Sequence, residues 1–333
     1  MTTDKCHTVM GARAHDRPLL ASPHASRAAE SSGFRSGAVI AQALRALLGL
    51  MMFLTLLAMG MGLTFAEVVA ALRRARILAL GIVVNFVAIP ALVLLLVKIF
   101  AIDDDVAVGL LLCGITPGSG VGPLLVDYAR GDVGLSVGLL LGLTFSSVVL
   151  TPILLGWWSG GDFGPALSAT TWPTMRLILA FQVVPLIAGL LLRRYAESRT
   201  RRAQPWIARI ARGLMLGIIA AYLITQGQLL LANGLRPFVV SVVAILASFL
   251  VGWAPPLRAR TERVALGITS MNRNLALAML LAAMLFPHPA TLATVLAYGI
   301  LMLIVAFVIA AWFRRSAPGV DLAGGAGDEG REP

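Results

Sequence analysis

The sequence predicts an all-α protein that crosses a membrane many times. Of its 333 residues, 58% are hydrophobic and only 13% are charged, whereas soluble domains are about 45–50% apolar and about 25% charged. The apolar residues lie in long runs, and a membrane-spanning helix needs about 20 of them in succession. The runs lack the alternation of apolar and polar residues that is typical of a transmembrane β-barrel.

Nine segments are long and apolar enough to span a membrane, and proline, glycine and clustered charges separate them. We label them in chain order as A 38–64, B 76–100, C 105–128, D 132–158, E 174–194, F 208–231, G 236–255, H 263–286 and I 289–313. The two ends, residues 1–37 and 314–333, are polar and have no periodic apolar pattern. Both ends are predicted to be disordered tails.

The basic residues predict the orientation of the chain. With nine spans the loops alternate between two sides, and one side receives most of the arginines, including the run from Arg193 to Arg212 and the C-terminus. By the positive-inside rule this side is cytoplasmic, and we expect a bacterial inner or plasma membrane. The net charge of +11 therefore reflects topology. Nucleic-acid binding is not expected, because the arginine run lacks interleaved aromatic residues.

Segment C contains a break in its helix. Two prolines and three glycines lie between Thr116 and Pro123, and this composition cannot continue an α-helix. Unwound backbone survives at membrane depth only where protein or a watered cavity satisfies its polar groups. A simple proline kink is the alternative interpretation.

Segment H carries the densest polar cluster of any span, from Thr269 to Asn274. Its Arg273 costs about 2.5–3.5 kcal/mol at mid-membrane on insertion scales, so the side chain should face the bundle interior. Interrupted helices in corresponding positions of two halves indicate the binding site of a secondary transporter. A polar cluster that only joins helices is the alternative. The predicted substrate-binding residues are Arg273, Asn274, Asn272, Thr269, Ser270, Thr116 and Ser119.

Four stretches of the chain resemble the bile acid:sodium symporter family. Segment A ends in Met-Gly-Met-Gly-Leu-Thr at 59–64, and segment B contains Asn-Phe-Val-Ala-Ile-Pro at 85–90. The break Pro117-Gly118 and the Ala-Arg-Gly-Asp-Val-Gly-Leu-Ser-Val run at 129–137 keep the family's spacing, and Met-Asn-Arg-Asn at 271–274 is similar to its motif in segment H. The resemblance covers residues 38–313.

The resemblance implies a transporter of ten helices in two inverted repeats, with the first helix missing here. The repeats would span about 38–158 and 174–313. Segments A, E and F would form a panel, and B, C, D, G, H and I a core in which C and H cross. The substrate would bind between panel and core near that crossing, with alternating access by motion of one against the other.

The chain departs from the family where its relatives bind sodium. The Ser-Asn pair after the break in C is Gly122-Pro123 here, and the acid on H is Ile268. Asn85, Ser136 and Asn272 remain as ligands of a weak ion site. No span interior contains Asp or Glu, so the residues do not predict strong sodium binding, and no other cofactor or metal is indicated.

These departures suggest a role for Arg273. The guanidinium would supply the fixed positive charge that sodium supplies in coupled relatives, and would hold a small organic anion that is bile-acid-like or a carboxylate. Half-helix N-termini at the breaks would assist it. The structural alternative is that Arg273 neutralises helix C-terminal carbonyls at the crossing.

Two other functions are alternatives to the transport of an organic anion. An arsenite-efflux carrier of the same fold has a cysteine after the proline of C, where this chain has Gly118 and where Cys113 lies four residues before the proline. An intramembrane enzyme would need a base near Ser119, and no span places a histidine there. We expect no catalytic activity, and the sequence does not indicate an oligomeric state.

Overall fold

The computed structural model describes residues 23–161, 167–232 and 235–316, and within these ranges the regular structure is helical. The contacts divide the chain into residues 1–44 and residues 45–333. The described part of the first unit, residues 23–44, is the N-terminal half of one long helix.

Fourteen α-helices make up the described chain. The first seven are α1 Pro23–Gly62, α2 Phe65–Leu72, α3 Ala75–Val83, α4 Ile89–Ile99, α5 Asp104–Ile115, α6 Gly122–Tyr128 and α7 Val133–Gly161. The others are α8 Leu167–Ile178, α9 Val184–Tyr195, α10 Glu197–Ala232, α11 Arg236–Trp253, α12 Arg260–Met271, α13 Leu275–Leu285 and α14 Pro289–Arg315. A π-helical turn, Val84–Ala88, joins α3 to α4, and a second, Leu179–Val183, joins α8 to α9.

These helices account for the nine predicted segments. Seven continuous helical stretches of the described chain are long and apolar enough to cross a membrane. Segments C and H are instead two half-helices each, α5 with α6 and α12 with α13. The prediction of an all-α polytopic membrane protein is confirmed.

The first helix begins earlier than the sequence suggested. Residues 23–37, which were assigned to a disordered tail, form the first turns of α1. This stretch has no proline after Pro23, so no residue in it breaks the helix of segment A. Residues 1–22 and 317–333 lie outside the described residues, and their disorder stays a prediction.

A short helix that the sequence analysis did not anticipate links segment A to segment B. Helix α2 starts with a capping box, in which Thr64 N–H donates to Glu67 Oε2 at 2.8 Å and Glu67 N–H donates to Thr64 Oγ1 at 3.3 Å. This reciprocal pair satisfies two donors that a helix start leaves unpaired. The Thr64 of the Met-Gly-Met-Gly-Leu-Thr motif is therefore a helix cap.

The C-terminal half of α1 packs against α9 at backbone distance. A Cβ added to Gly60 would lie 2.2 Å from the Leu186 carbonyl oxygen, and one added to Gly189 would lie 2.4 Å from that of Leu57. Small residues allow this close approach between membrane helices. The contact explains why glycine stands at position 60 of the motif.

Both π turns are followed by a proline that explains them. Pro90 and Pro185 lack the N–H that an α-helical ladder needs at their positions, and a π turn is one way to absorb that loss. Each turn also carries one fully buried carboxamide side chain, Asn85 in the first and Gln182 in the second. The two turns therefore place polar groups inside the bundle.

Candidate functional site

The break between α5 and α6 is built by proline and glycine and is satisfied by α7. Gly118 has φ +93°, and a Cβ there would lie 3.1 Å from Thr144 Oγ1. Glycine adopts this left-handed region without the steric cost that other residues incur. The Ile115 carbonyl before the break accepts a 2.8 Å hydrogen bond from Thr151 Oγ1. This bond satisfies the carbonyl at which the break begins, as membrane depth requires.

The break between α12 and α13 is held by its two asparagines. Asn274 is the N-cap of α13, and its Oδ1 accepts from Leu277 N–H at 3.1 Å. Asn272 Nδ2 donates back to the Ile268 carbonyl at 2.7 Å, where the helical ladder of α12 ends. Asparagine is among the residues preferred at N-caps, so the polar residues of segment H shape the break themselves.

The two breaks meet. Pro117 and Arg273 form an isolated antiparallel bridge, and Asn274 N–H donates to the Thr116 carbonyl at 2.8 Å. Segments C and H therefore cross at their unwound residues. The resemblance to the family implied a crossing of these two segments. This geometry excludes a simple proline kink in C.

Arg273 lies at this crossing with its charge unpaired. The side chain is 0% exposed, and it is the one charged residue among those of the described chain that are buried. Its Nη1 donates to Asn85 Oδ1 at 3.2 Å, while Nε and Nη2 have no hydrogen-bond partner within the described ranges. The structural alternative is that Arg273 neutralises helix C-terminal carbonyls, and its side chain makes no hydrogen bond to a carbonyl within the described ranges.

The neighbours of Arg273 all come from segments assigned to the core. Asn85 also donates through Nδ2 to Ser270 Oγ at 3.0 Å, and the backbone N–H of Arg273 points at Met302 Sδ at 3.0 Å. The Tyr298 hydroxyl lies near the guanidinium and is itself buried without a partner of good geometry. We call Asn85, Ser270, Arg273 and Tyr298 the Arg273 cluster.

The three predicted ligands of the weak ion site differ in their hydrogen-bond partners. Ser136 Oγ is bonded to Thr269 Oγ1 at 2.9 Å, and Asn85 is occupied by Arg273 and Ser270. Asn272 Oδ1 is buried without a partner among the described groups. No hydrogen bond described here joins the three, and a cation at Asn85 would meet the guanidinium.

A second polar group lies where α7 faces the π turn between α8 and α9. Gln182 Nε2 donates to the Thr144 carbonyl at 2.9 Å and to Ser147 Oγ at 2.7 Å. Gln182 Oε1 accepts from Asn274 Nδ2 at 3.5 Å. We call Thr144, Ser147, Gln182 and Asn274 the interface cluster. Arg273 and Asn274 are adjacent in sequence, but they belong to different clusters.

The remaining predicted residues are also near the crossing. Thr116 is fully buried, and its Oγ1 donates to the Leu112 carbonyl at 2.7 Å. Ser119 is 8% exposed, with its Oγ 3.4 Å from the Val121 nitrogen. Gly120 beside it is exposed and faces Met59 of α1. The break in segment C therefore reaches the boundary with the first predicted panel helix.

Four residues of the two clusters were not among the predicted site residues. They are Thr144, Ser147, Gln182 and Tyr298. The structure shows that Gln182 bonds between helices. A polar residue within an apolar run was the available signal, but its partners depend on the tertiary fold.

The Gly131-Asp132 pair of the family-like motif lies at the predicted cytoplasmic end of α7. Asp132 is the residue before that helix, and its Oδ1 accepts from Leu135 N–H at 2.9 Å. It also pairs with Arg74. Burial alone would raise the pKa of the Asp132 carboxyl, but the hydrogen bonds from Arg74 and the Leu135 N–H hold that pKa below its ordinary value. The same pair raises the pKa of Arg74.

Comparison with known proteins gives a consistent result. The model of the Sodium Bile acid symporter family matches residues 49–233, more than half of the chain. The chain is 26% identical over 273 residues to the probable chloroplastic sodium/metabolite cotransporter of Arabidopsis thaliana, covering 80% of this chain and 66% of the relative. It is 28% identical over 153 residues to the hepatic sodium/bile acid cotransporter of Rattus norvegicus, covering 46% of this chain and 42% of the relative.

A human relative gives a similar figure. The chain is 28% identical over 205 residues to sodium/bile acid cotransporter 4 of Homo sapiens, covering 61% of this chain and 46% of the relative. The chain thus spans between about two fifths and two thirds of the length of these three relatives.

Proposed function

Because the chain belongs to the sodium bile acid symporter family, we propose that it is a secondary transporter of a small organic anion, with Arg273 in place of a coupling sodium ion. The relatives are named as cotransporters of sodium with bile acids or metabolites, which supports a small organic solute as substrate and transport rather than catalysis. A bile-acid-like anion or a small carboxylate is the substrate class.

One observation carries this proposal: Arg273 is buried and has no carboxylate partner in the described chain. An ionised group away from water costs several kcal/mol unless an opposite charge compensates it. A membrane protein that keeps such a charge is expected to use it. An anionic substrate is the partner that would offset the cost.

The position of the charge supports its comparison with sodium. The side chains that interact with Arg273 belong to segments of the predicted core, with Asn85 in segment B and Met302 and Tyr298 in segment I. From there the charge would act on an anion at the panel–core boundary, together with the N-terminus of α13. Asn274, Asn272, Thr269, Ser270, Thr116 and Ser119 would supply hydrogen bonds or shape the breaks.

A sodium ion has little to bind here. Asn85, Ser136 and Asn272 offer oxygen atoms but no negative charge, and sodium is a hard cation that favours oxygen ligands with compensating charge. Arg273 would repel a cation next to Asn85. We therefore propose that sodium is not obligatory for transport.

Alternating access would follow the division into panel and core. We propose a transport domain of residues 38–313, with repeats at about 38–158 and 174–313. The panel would be α1, α8, α9 and α10, and the core α3 to α7 with α11 to α14. The contact of α1 with α9 through Gly60 and Gly189 supports a panel that moves as a unit.

The test compares wild type with Arg273→Gln in purified form. Thermal unfolding is measured without ligand and with cholate or benzoate, and with the uncharged methyl cholate or benzamide. We expect wild type to be stabilised by at least one anion and by neither neutral analogue. In Arg273→Gln we expect the affinity for that anion to fall by about 30-fold or more, as for loss of one partner of a buried charge pair.

The same variant separates a binding role from a structural one. Replacing an uncompensated buried charge is often neutral or stabilising, so ligand-free Arg273→Gln should melt at the same temperature as wild type or higher. Arg176→Ala, at an exposed arginine, is the control and should retain the anion response. A lower melting temperature of ligand-free Arg273→Gln, with an unchanged anion response, would overturn the proposed role.

A further inference from the structure

The interface cluster is the point at which a predicted panel helix touches the crossing through hydrogen bonds. Gln182 lies in the π turn before α9 and is fully buried. It contacts α7 through Thr144 and Ser147, and the break in segment H through Asn274. Any motion of the panel against the core must stretch or exchange these bonds.

The bonds of Gln182 are of unequal length. Its Nε2 donates at 2.9 Å and 2.7 Å to α7, whereas its Oε1 is 3.5 Å from Asn274 Nδ2. Hydrogen bonds between nitrogen and oxygen usually measure about 2.7–3.2 Å. The contact between Gln182 and Asn274 is therefore the weakest of the three and the easiest to exchange.

Asn274 holds a donor in reserve. Its Oδ1 is committed to the N-cap of α13, but its Nδ2 carries two N–H groups and makes only the long bond to Gln182 among the described groups. The side chain is 6% exposed. A buried amide with an unused N–H group can donate a hydrogen bond to an anionic oxygen.

Thr144 supplies a second unused group at the same place. Its Oγ1 is fully buried and has no hydrogen-bond partner in the described chain, although its carbonyl accepts from both Gln182 and Ser147. Gly118 of the other break lies directly against it, since a Cβ at Gly118 would be only 3.1 Å from Thr144 Oγ1. Buried hydroxyls without partners are uncommon and call for an explanation.

We propose that Gln182 is an exchangeable latch that closes the ligand-free site, and that an oxygen of the anionic substrate takes its place on Asn274 Nδ2 and accepts from Thr144 Oγ1. This inference rests on the proposed function for the identity of the ligand. The contact between Gln182 and Asn274 joins the panel to the break in segment H when the site is empty, and the substrate releases that contact on binding. Gln182 is thus a positioning residue that couples occupancy to panel motion.

The test measures the opening of the boundary by thiol labelling. Ser119→Cys is introduced into a chain in which Cys113 and Cys6 are serine, because Ser119 is 8% exposed and lies in the break beside the panel. Labelling by a water-soluble maleimide is followed in substrate-free protein, with Gln182→Met added. We expect labelling to be at least about fivefold faster, because Gln182→Met removes all three bonds of the side chain. The loss of one hydrogen bond of ordinary net strength already shifts an opening equilibrium by about that factor.

A second variant removes the same contact by changing Asn274 instead of Gln182. Asn274→Ser keeps an N-cap acceptor for α13 but removes the amide donor, and we expect a similar acceleration. Thr151→Val is the matched control, because it removes another fully buried hydrogen bond to a break, from Thr151 Oγ1 to the Ile115 carbonyl, without touching the panel. It should leave labelling unchanged.

The outcomes separate this inference from the proposed function. Unchanged labelling in both Gln182→Met and Asn274→Ser would overturn the latch, as would equal acceleration by Thr151→Val. If neither cholate nor benzoate stabilises wild type but the two variants still label faster, the latch stands and the substrate assignment falls. If wild type binds an anion but the latch variants match it in affinity and labelling, the latch falls alone.

Discussion

At the scale of single residues, the site depends on two residues that are adjacent in sequence and whose side chains belong to different clusters. Arg273 lies among Asn85, Ser270 and Tyr298, whereas Asn274 caps α13 and reaches Gln182. The sequence identified both residues, because a polar cluster within a span stands out. The sequence did not indicate that the two side chains have different partners. An unwound segment has no helical period from which the direction of a side chain could be predicted. Tyr298 and Gln182 were not assigned to the site because their partners come from distant parts of the chain.

A prediction at this scale concerns Asp132 at the predicted cytoplasmic end of α7. Its pairing with Arg74 is partly exposed, with side chains 21% and 44% exposed respectively, so the ion pair should contribute only about 0.2–1 kcal/mol. Its cap on α7 should contribute about 1 kcal/mol. Asp132→Ala should therefore destabilise more than Asp132→Asn at pH 7, in thermal unfolding of the detergent-solubilised protein.

The pH dependence follows from the lowered pKa of Asp132. A carboxyl whose folded pKa lies below its ordinary value, about 3.9 for aspartate, stabilises the fold above that value and loses this contribution as the pH falls through the folded pKa. The difference between wild type and Asp132→Asn should shrink as the pH falls below about 4 and vanish only below the folded pKa of Asp132. A difference at pH 3 as large as that at pH 7, or an Asp132→Asn as unstable as Asp132→Ala at pH 7, would contradict this account.

At the scale of elements, the sequence predicted the membrane spans. It predicted the breaks within them, but not the π turns or the short helix α2. The bounds of segments B, G and I agree with the helices to within a few residues, because length and apolar content decide membrane insertion. The breaks in C and H followed from their prolines, glycines and polar residues. The π turns at 84–88 and 179–183 were not predicted, since a proline within a span is also compatible with a kink. Helix α2 was missed because it is only eight residues long.

A prediction at this scale concerns the contact between α1 and α9. Gly60→Ala would place a Cβ 2.2 Å from a backbone oxygen, which cannot move without shifting α9, so we expect a loss of about 1–3 kcal/mol, as for other overpacking changes. Gly213→Ala is the matched control, because no atom lies within 4 Å of its added Cβ. In α10 that change should be neutral or stabilising, since alanine favours helices.

Melting temperatures of the two alanine variants in the same detergent provide the measurement. A Gly60→Ala protein as stable as Gly213→Ala would mean that the two helices separate easily at this point. The close packing of the proposed panel would then be wrong.

At the scale of the whole molecule, charge placement and helix order describe one kind of protein. Described helices bury their polar residues at the crossing and expose apolar ones such as Leu124, Ile224 and Leu250 on the outside, as a lipid-facing surface requires. Most basic residues of residues 38–313 lie at loop ends, and the exceptions are Arg45 within segment A and Arg273 at the crossing. The cytoplasmic position of the C-terminus remains a prediction of the positive-inside rule.

The central claim is that a fixed guanidinium replaces the coupling cation, and uptake into vesicles without sodium tests it most directly. Purified protein is reconstituted, and uptake of the probe anion that stabilises it is followed with sodium outside or with sodium fully replaced by potassium. We predict equal initial rates in the two media for wild type, and loss of uptake in both for Arg273→Gln. Uptake by wild type that stops when sodium is removed would contradict the account.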